Sequence, residues 1–159
     1  YCFGNGGSST DAATFAALFA QPVSGRPLGA VNLAADQAVV TALGNDVGFE
    51  LVFSRQIIAH ATGRDIAAAF STSGNSADLM SALREASKRG LLTIGFAGYN
   101  GGEMAESDAV DFCLVVRSQS IHRIQESQAL LGYQLWATTQ QRLAGRDSRA
   151  ASTHREGTP

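Results

Sequence analysis

The sequence predicts an α/β protein built on a parallel sheet, and three observations predict it. Five short apolar runs recur along the 159 residues, at 1–3, 30–34, 66–70, 91–97 and 112–116. The stretches between them carry helical periodicity, the alternation expected of βαβ units. The third run, Ile-Ala-Ala-Ala-Phe, has no polar residue, as suits a strand covered on both faces.

In chain order, Tyr1-Cys2-Phe3 reads as the end of a first strand and residues 30–34 as the second. A helix over 11–20 is rich in Ala, Phe and Leu and stops before Pro22. A second over 50–61 carries Val52, Phe53, Ile57 and Ile58 near helical period and ends at Gly63. The helix over 77–89 aligns Leu79, Met80, Leu83 and Ala86 on one face. Lys88 and Arg89 then meet the negative end of its dipole, and Gly90 stops it. The stretch 120–143 reads as one long helix packing through Ile121, Ile124, Leu131, Leu135 and Trp136, with Gly132 weakening it by roughly 1 kcal/mol. From Gly145 the chain turns polar without periodicity, so a domain over 1–144 is expected to be followed by a disordered tail over 145–159.

Composition narrows the function. Hydrophobic residues make up 45%, enough for one core, and charged residues 16%, below the usual quarter or so. The formal net charge is −2, and no basic cluster runs through the ordered part, which argues against direct nucleic-acid binding and against adhesion to anionic membranes. No apolar run approaches the roughly 20 residues that span a bilayer. Cys2 and Cys113 lie in apolar runs, as buried thiols of a reducing compartment would, and their spacing suggests neither zinc nor a redox pair. A cytoplasmic location is expected.

Two loops carry the chemistry. Gly4-Asn5-Gly6-Gly7-Ser8-Ser9 joins a strand to a helix, where glycines let the backbone approach a ligand and helix-start N–H groups favour an anion. Ser71-Thr72-Ser73-Gly74-Asn75-Ser76 places four hydroxyls at the carboxyl end of a strand, where open α/β sheets bind ligands. Hydroxyls and helix-terminal N–H groups can hold a phosphate without Lys or Arg. Neither loop is a Walker motif or a dinucleotide fingerprint.

These loops, with Gly44-Asn45-Asp46, Phe53-Ser54-Arg55-Gln56, Gly101-Gly102 and Arg123-Ile124-Gln125-Glu126 in the same order, resemble the phosphoheptose isomerases of the sugar isomerase (SIS) family over about 1–143. The resemblance implies a three-layer αβα sandwich, flavodoxin-like, with a five-stranded parallel sheet. It implies a homo-oligomer, usually a tetramer, with active sites between subunits. Ser71, Thr72, Ser73 and Ser76 would hold a phosphate, while Asn5, Gly6, Gly7, Ser8, Asn45, Asp46 and Gln125 would line a phosphorylated sugar. The start of the first strand and a preceding helix are expected upstream of Tyr1.

The pattern breaks where the family keeps its zinc ligands and acid/base groups. Active members carry a His, a Glu four residues later and a final His, where this chain has Thr14, Leu18 and Tyr133. An aliphatic side chain cannot abstract a proton, and these three are poor zinc ligands, so no cofactor and no metal site are expected. His122, which precedes the Arg-Ile-Gln-Glu motif, is the candidate for a relocated acid or base, set against a helix-start histidine without chemical role. His60 ends a helix and reads as a dipole partner. The expected function is a sugar-phosphate-binding protein with a degenerate catalytic site. The alternatives are an isomerase of sedoheptulose 7-phosphate with relocated chemistry, and a regulatory protein with a protein partner such as the bacterial replication initiator DnaA. The second alternative draws on Tyr99-Asn100-Gly101-Gly102-Glu103, which resembles a SIS branch that associates with that initiator.

Overall fold

Strand pleating sends alternate side chains to opposite faces, so a strand apolar at every position must be covered twice. The structure, a computed structural model, describes residues 1–155 and the side chains of residues 1–147. Strands β1 (Cys2–Gly4), β2 (Ile66–Phe70), β3 (Leu92–Gly98) and β4 (Phe112–Val116) form one parallel sheet in that spatial order. The register aligns Gly4, Phe70, Phe96 and Leu114 in one row and Phe3, Ala69, Gly95 and Cys113 in the next.

Those two rows feed two cores. On one face Cys2, Ala68, Phe70 and Phe96 pack with Ala12, Phe15 and Ala16 of α1 (Gly7–Ala20) and with Leu131 and Leu135 of α6 (Ile121–Arg155). Phe70 and Phe96 stack with centroids 4.3 Å apart, and Phe15 meets both edge-on or tilted. On the other face Phe3, Ala67, Ala69 and Ala97 meet α3 (Val52–His60) and α4 (Ala77–Lys88). Alanine on β2 lets α4 approach the sheet closely, and Leu79, Met80 and Leu83 fill the space with no exposed surface.

The remaining elements are peripheral. Helix α2 (Gln37–Asp46) is capped by the Asp36 carboxylate, which accepts from the N–H groups of Ala38 and Val39, yet it buries no residue. It packs on a 3-10 turn (Phe49–Leu51) and on α3. Helix α5 (Gly102–Glu106) follows β3 and is pinned to α4 by the Arg84–Glu103 ion pair. Among the described residues, no helix is long and apolar enough to cross a membrane.

Three sequence expectations need correction. The sheet has four strands, not five. Residues 30–34 make a single parallel bridge, Asn32 to Cys2, through Cys2 N–H to the Val31 carbonyl (2.8 Å) and Leu33 N–H to the Cys2 carbonyl (2.9 Å). The Asn32 side chain accepts the Ala34 N–H and its carbonyl accepts the Ala35 N–H, which turns the chain away before a ladder can extend. Helix α1 begins at Gly7, four residues earlier than its apolar pattern, because the sheet end and not propensity fixes its start. Helix α6 continues past Leu143, where the sequence predicts its end, and through Gly145 to Arg155; residues 156–159 of the expected tail lie outside the described residues.

Candidate functional site

The loops that leave the carboxyl ends of β1, β2 and β3 meet at one edge of the sheet. Gly4 ends β1 where a Cβ would sit 2.6 Å from the Ser8 carbonyl oxygen and 2.9 Å from that of Phe70. The loop therefore folds tightly back, with the Ser8 N–H donating to the Asn5 carbonyl at 2.9 Å. Gly6 is exposed and Ser8 is buried. The Asn5 amide donates to both carboxylate oxygens of Asp78, at 3.0 and 2.9 Å. Asp78 is 4% exposed in the first turn of α4, so this pair ties the glycine loop to the helix that the serine loop starts.

The serine loop is braced from within. The Ser71 hydroxyl accepts the Gly74 N–H at 3.0 Å, and the Ser73 hydroxyl accepts the Asn75 N–H at 3.2 Å. Each oxygen is fixed as an acceptor; the two stand 3.5 Å apart, so one hydroxyl can donate to the other while the second keeps its proton for an outside acceptor. Ser71 is buried, whereas Thr72, Ser73 and Ser76 are half-buried. Ser76 stands at the N-cap of α4 without making a side-chain cap bond. Gly74 has φ +69°, and a Cβ there would collide with the Gly101 carbonyl oxygen. The third loop locks on through the Asn75 side chain, which accepts the Glu103 N–H at 2.8 Å, and through the Met104 N–H on the Gly74 carbonyl.

Gln125 enters from α6. Its amide donates to Asp11 Oδ2 at 3.0 Å and lies 2.5 Å from where a Gly7 Cβ would stand, so glycine at 7 makes room for the carboxamide. Burial pushes the Asp11 carboxyl above the ordinary carboxylate range, against the lowering effect of the Gln125 bond. Asp11 and Thr14 line a cavity of about 40 Å³ with Leu18 and Gln128.

Not every expected residue joins this cluster. Asn45 and Asp46, at the exposed end of α2, hydrogen-bond to each other at 2.8 Å and to none of the loop residues. His122 is exposed in the first turn of α6. Glu126 pairs with Arg123 at 3.2 Å, and the His60 carbonyl accepts the Tyr1 hydroxyl at 3.0 Å. Asp78, Asp11 and Gln128 escape the sequence reading. Asp78 had a signal, since it lies two residues beyond the serine loop in a first helical turn. Asp11 and Gln128 had none, because both sit inside unremarkable helical stretches.

A zinc ion takes three or four histidine, cysteine or carboxylate donors. Beside Gln125 the chain offers the Asp11 carboxylate and the Thr14 hydroxyl; Leu18 is apolar, and Tyr133 packs on Trp136 with centroids 5.3 Å apart. Among the described residues no three His, Cys, Asp or Glu side chains converge. This donor set does not fit zinc.

Fold and site together define a class: an α/β protein whose polar loops gather at the carboxyl ends of parallel strands, the ligand-binding edge of such sheets. Residues 1–98 match the SIS domain family. The phosphoheptose isomerase of Aquifex aeolicus (strain VF5) is 42% identical over 135 residues, covering 84% of this chain and 70% of the relative. That of Campylobacter concisus (strain 13826) is 47% identical over 126 residues, covering 78% and 66%. The solved structure of a phosphoheptose isomerase from Francisella tularensis aligns with a TM-score of 0.81 at 32% identity, covering 87% of this chain and 74% of that one. One from Neisseria gonorrhoeae aligns with 0.76 at 37%, covering 86% and 73%. The chain belongs to the SIS-domain family and is phosphoheptose isomerase-like; it spans 66–70% of the length of these curated relatives.

Proposed function

We propose that this chain binds a sugar phosphate and turns it over slowly or not at all. The observation that carries the reading is the serine loop. The Ser71 and Ser73 hydroxyl oxygens accept backbone N–H groups and stand 3.5 Å apart, so a proton of the pair can turn to an outside acceptor, and Ser76 leaves its hydroxyl uncommitted to α4. Thr72, Ser73 and Ser76 would donate to the phosphate, with Ser71 bracing the turn. The sugar would lie along Asn5–Ser8 toward Gln125, with Asn45 and Asp46 as outer contacts. The names of the relatives support a phosphorylated sugar as the ligand class.

Weak turnover follows from the site chemistry. An aldose–ketose isomerase moves a proton between adjacent carbons and needs a placed acid and base. Thr14 and Leu18 supply neither, and no metal or other cofactor is part of the reading. A second reading, isomerisation with relocated chemistry, draws on Asp11, whose carboxyl is raised by burial beside Gln125; His122 contributes less to it because it is exposed. Exposed apolar residues around α2, Phe49 at 57% and Val47 at 40%, support a homo-oligomer, which light scattering checks.

Calorimetric titration with sedoheptulose 7-phosphate, with unphosphorylated sedoheptulose beside it, tests the binding. Saturable heat with the phosphate ester alone is expected. Equal response to both sugars, or to neither, would sink the phosphate assignment, and turnover at ordinary enzyme rates would overturn the degenerate site.

A further inference from the structure

Gln128 has no exposed surface and lies on α6 between the two chemical loops. Its amide nitrogen donates to the Ser71 carbonyl at 3.1 Å, at the root of the serine loop. That bond fixes the carboxamide, because the reversed orientation would set two oxygens against each other. Its Oε1 then faces away from Ser71 and has no partner among the described residues. Gln128 lines the small cavity with Asp11, Thr14 and Leu18. At about 40 Å³ the cavity exceeds the space one water needs.

Two acceptors line the same cavity. Asp11 receives Gln125 on Oδ2, which leaves Oδ1 open. The Thr14 hydroxyl gives its proton to the Thr10 carbonyl at 3.0 Å, which leaves its oxygen able to accept. A water there can donate one proton to Gln128 Oε1 and the other to Asp11 or Thr14.

We propose that Gln128 is a positioning residue for the serine loop, and that the cavity beside it binds one water, which links Gln128 to the Asp11–Gln125 pair. A hydrogen-bonded chain then runs from the Ser71 carbonyl through Gln128, water and Asp11 to Gln125 at the glycine loop, so the two loops are held in one geometry. The consequence for ligand affinity rests on the sugar-phosphate reading; the positioning itself does not.

Hydrogen exchange at the Gly74 and Asn75 amides, which the Ser71 and Ser73 hydroxyls hold, reads the loop without any ligand. Gln128→Met keeps length and removes the donor. It is expected to speed exchange at these two amides about tenfold, roughly the worth of one buried hydrogen bond, with β2 amides unchanged. Gln134→Met, on the exposed side of the same helix, is expected to change nothing. Wild-type exchange rates in Gln128→Met overturn the positioning role.

Should the Met variant fail to fold, Gln128→Glu reads the same amides. Its carboxyl can donate to Ser71 only while protonated, so loop protection, corrected for intrinsic rates, should fall as pH rises; Asp11 is the other titratable side chain lining the cavity. Protection independent of pH overturns the role. A crystal structure of the wild-type chain should show a water within hydrogen-bonding distance of Gln128 Oε1, and a dry cavity removes that half of the proposal. Failure of the wild-type chain to bind sedoheptulose 7-phosphate would refute the ligand reading and leave the exchange result standing.

Discussion

Asp11 sits where a single carboxyl reports on the site. Because burial raises its folded pKa, its ionised form destabilises the fold at pH values above that pKa. The penalty disappears as pH falls below the unfolded value of about 3.9. Asp11→Asn removes the charge and keeps an oxygen to accept from Gln125. The variant should therefore gain in melting temperature relative to wild type at pH 7, and that gain should shrink toward pH values of about 3.5. Scanning calorimetry at the two pH values checks it, and a difference that does not move with pH would refute the assigned cause. Gly74 is the other residue with a single reading. Its φ of +69° and the collision a Cβ would make with Gly101 leave alanine no relaxed position, since both partners are backbone. Gly74→Ala should cost at least about 2 kcal/mol in denaturant unfolding, above the 1–2 kcal/mol of a left-handed residue alone. A loss under half a unit would mean that the two loops are not locked as described.

Among the elements, β2 and β4 have the bounds their apolar runs predict, and β1, β3 and α4 differ by a residue at one or both ends. They were legible because their patterns are decided by burial: a strand with no polar position and a helix with one apolar face leave little choice. Residues 30–34 carry an apolar run broken by one polar residue, Asn32, whose local hydrogen bonds end the pairing after one bridge. Helix α2 went unread because it is short and peripheral: it buries no residue fully, and only Leu43 packs against the core. The place of the serine loop between a strand and a helix was legible, and its hydroxyls are what mark it as a candidate site. The Asn5–Asp78 and Asp11–Gln125 pairs join residues 73 and 114 positions apart, and nothing local marks either. Gly132 shows how packing overrides propensity in α6. Alanine there would gain about 1 kcal/mol of helix propensity. Its Cβ would, however, meet a Phe15 ring carbon at 2.9 Å, and that ring is held by Phe19, Phe70 and Phe96. Overpacking of this kind costs about 1–3 kcal/mol, so Gly132→Ala should be net destabilising by roughly 1 kcal/mol. A stabilised variant in urea melts would show that the α1–α6 contact yields more easily than its aromatic cluster suggests.

At the scale of the molecule, the two aromatic and aliphatic cores hold four strand ends in register, and the site is assembled only when that register forms. A ligand that bridges the β1, β2 and α6 contributions should therefore stabilise the whole fold. At a ligand concentration of a hundred times Kd, linkage gives about 2.7 kcal/mol, on the order of 5–10 °C in melting temperature for a chain of this size. Sedoheptulose 7-phosphate should produce such a shift, and sedoheptulose should not, because the hydroxyl-lined loop has nothing to hold without the phosphate. Ser73→Ala removes one donor and should reduce the shift at fixed ligand concentration, corresponding to a weakening of about tenfold or more for a bond to a charged group. Incubation of the stabilised complex should leave the sugar chemically unchanged over many enzyme-equivalent turnovers, because no base stands where Leu18 does. A thermal shift accompanied by conversion to the aldose would instead give Asp11 the role of base, and Asp11→Asn would then abolish the conversion while leaving the shift in place.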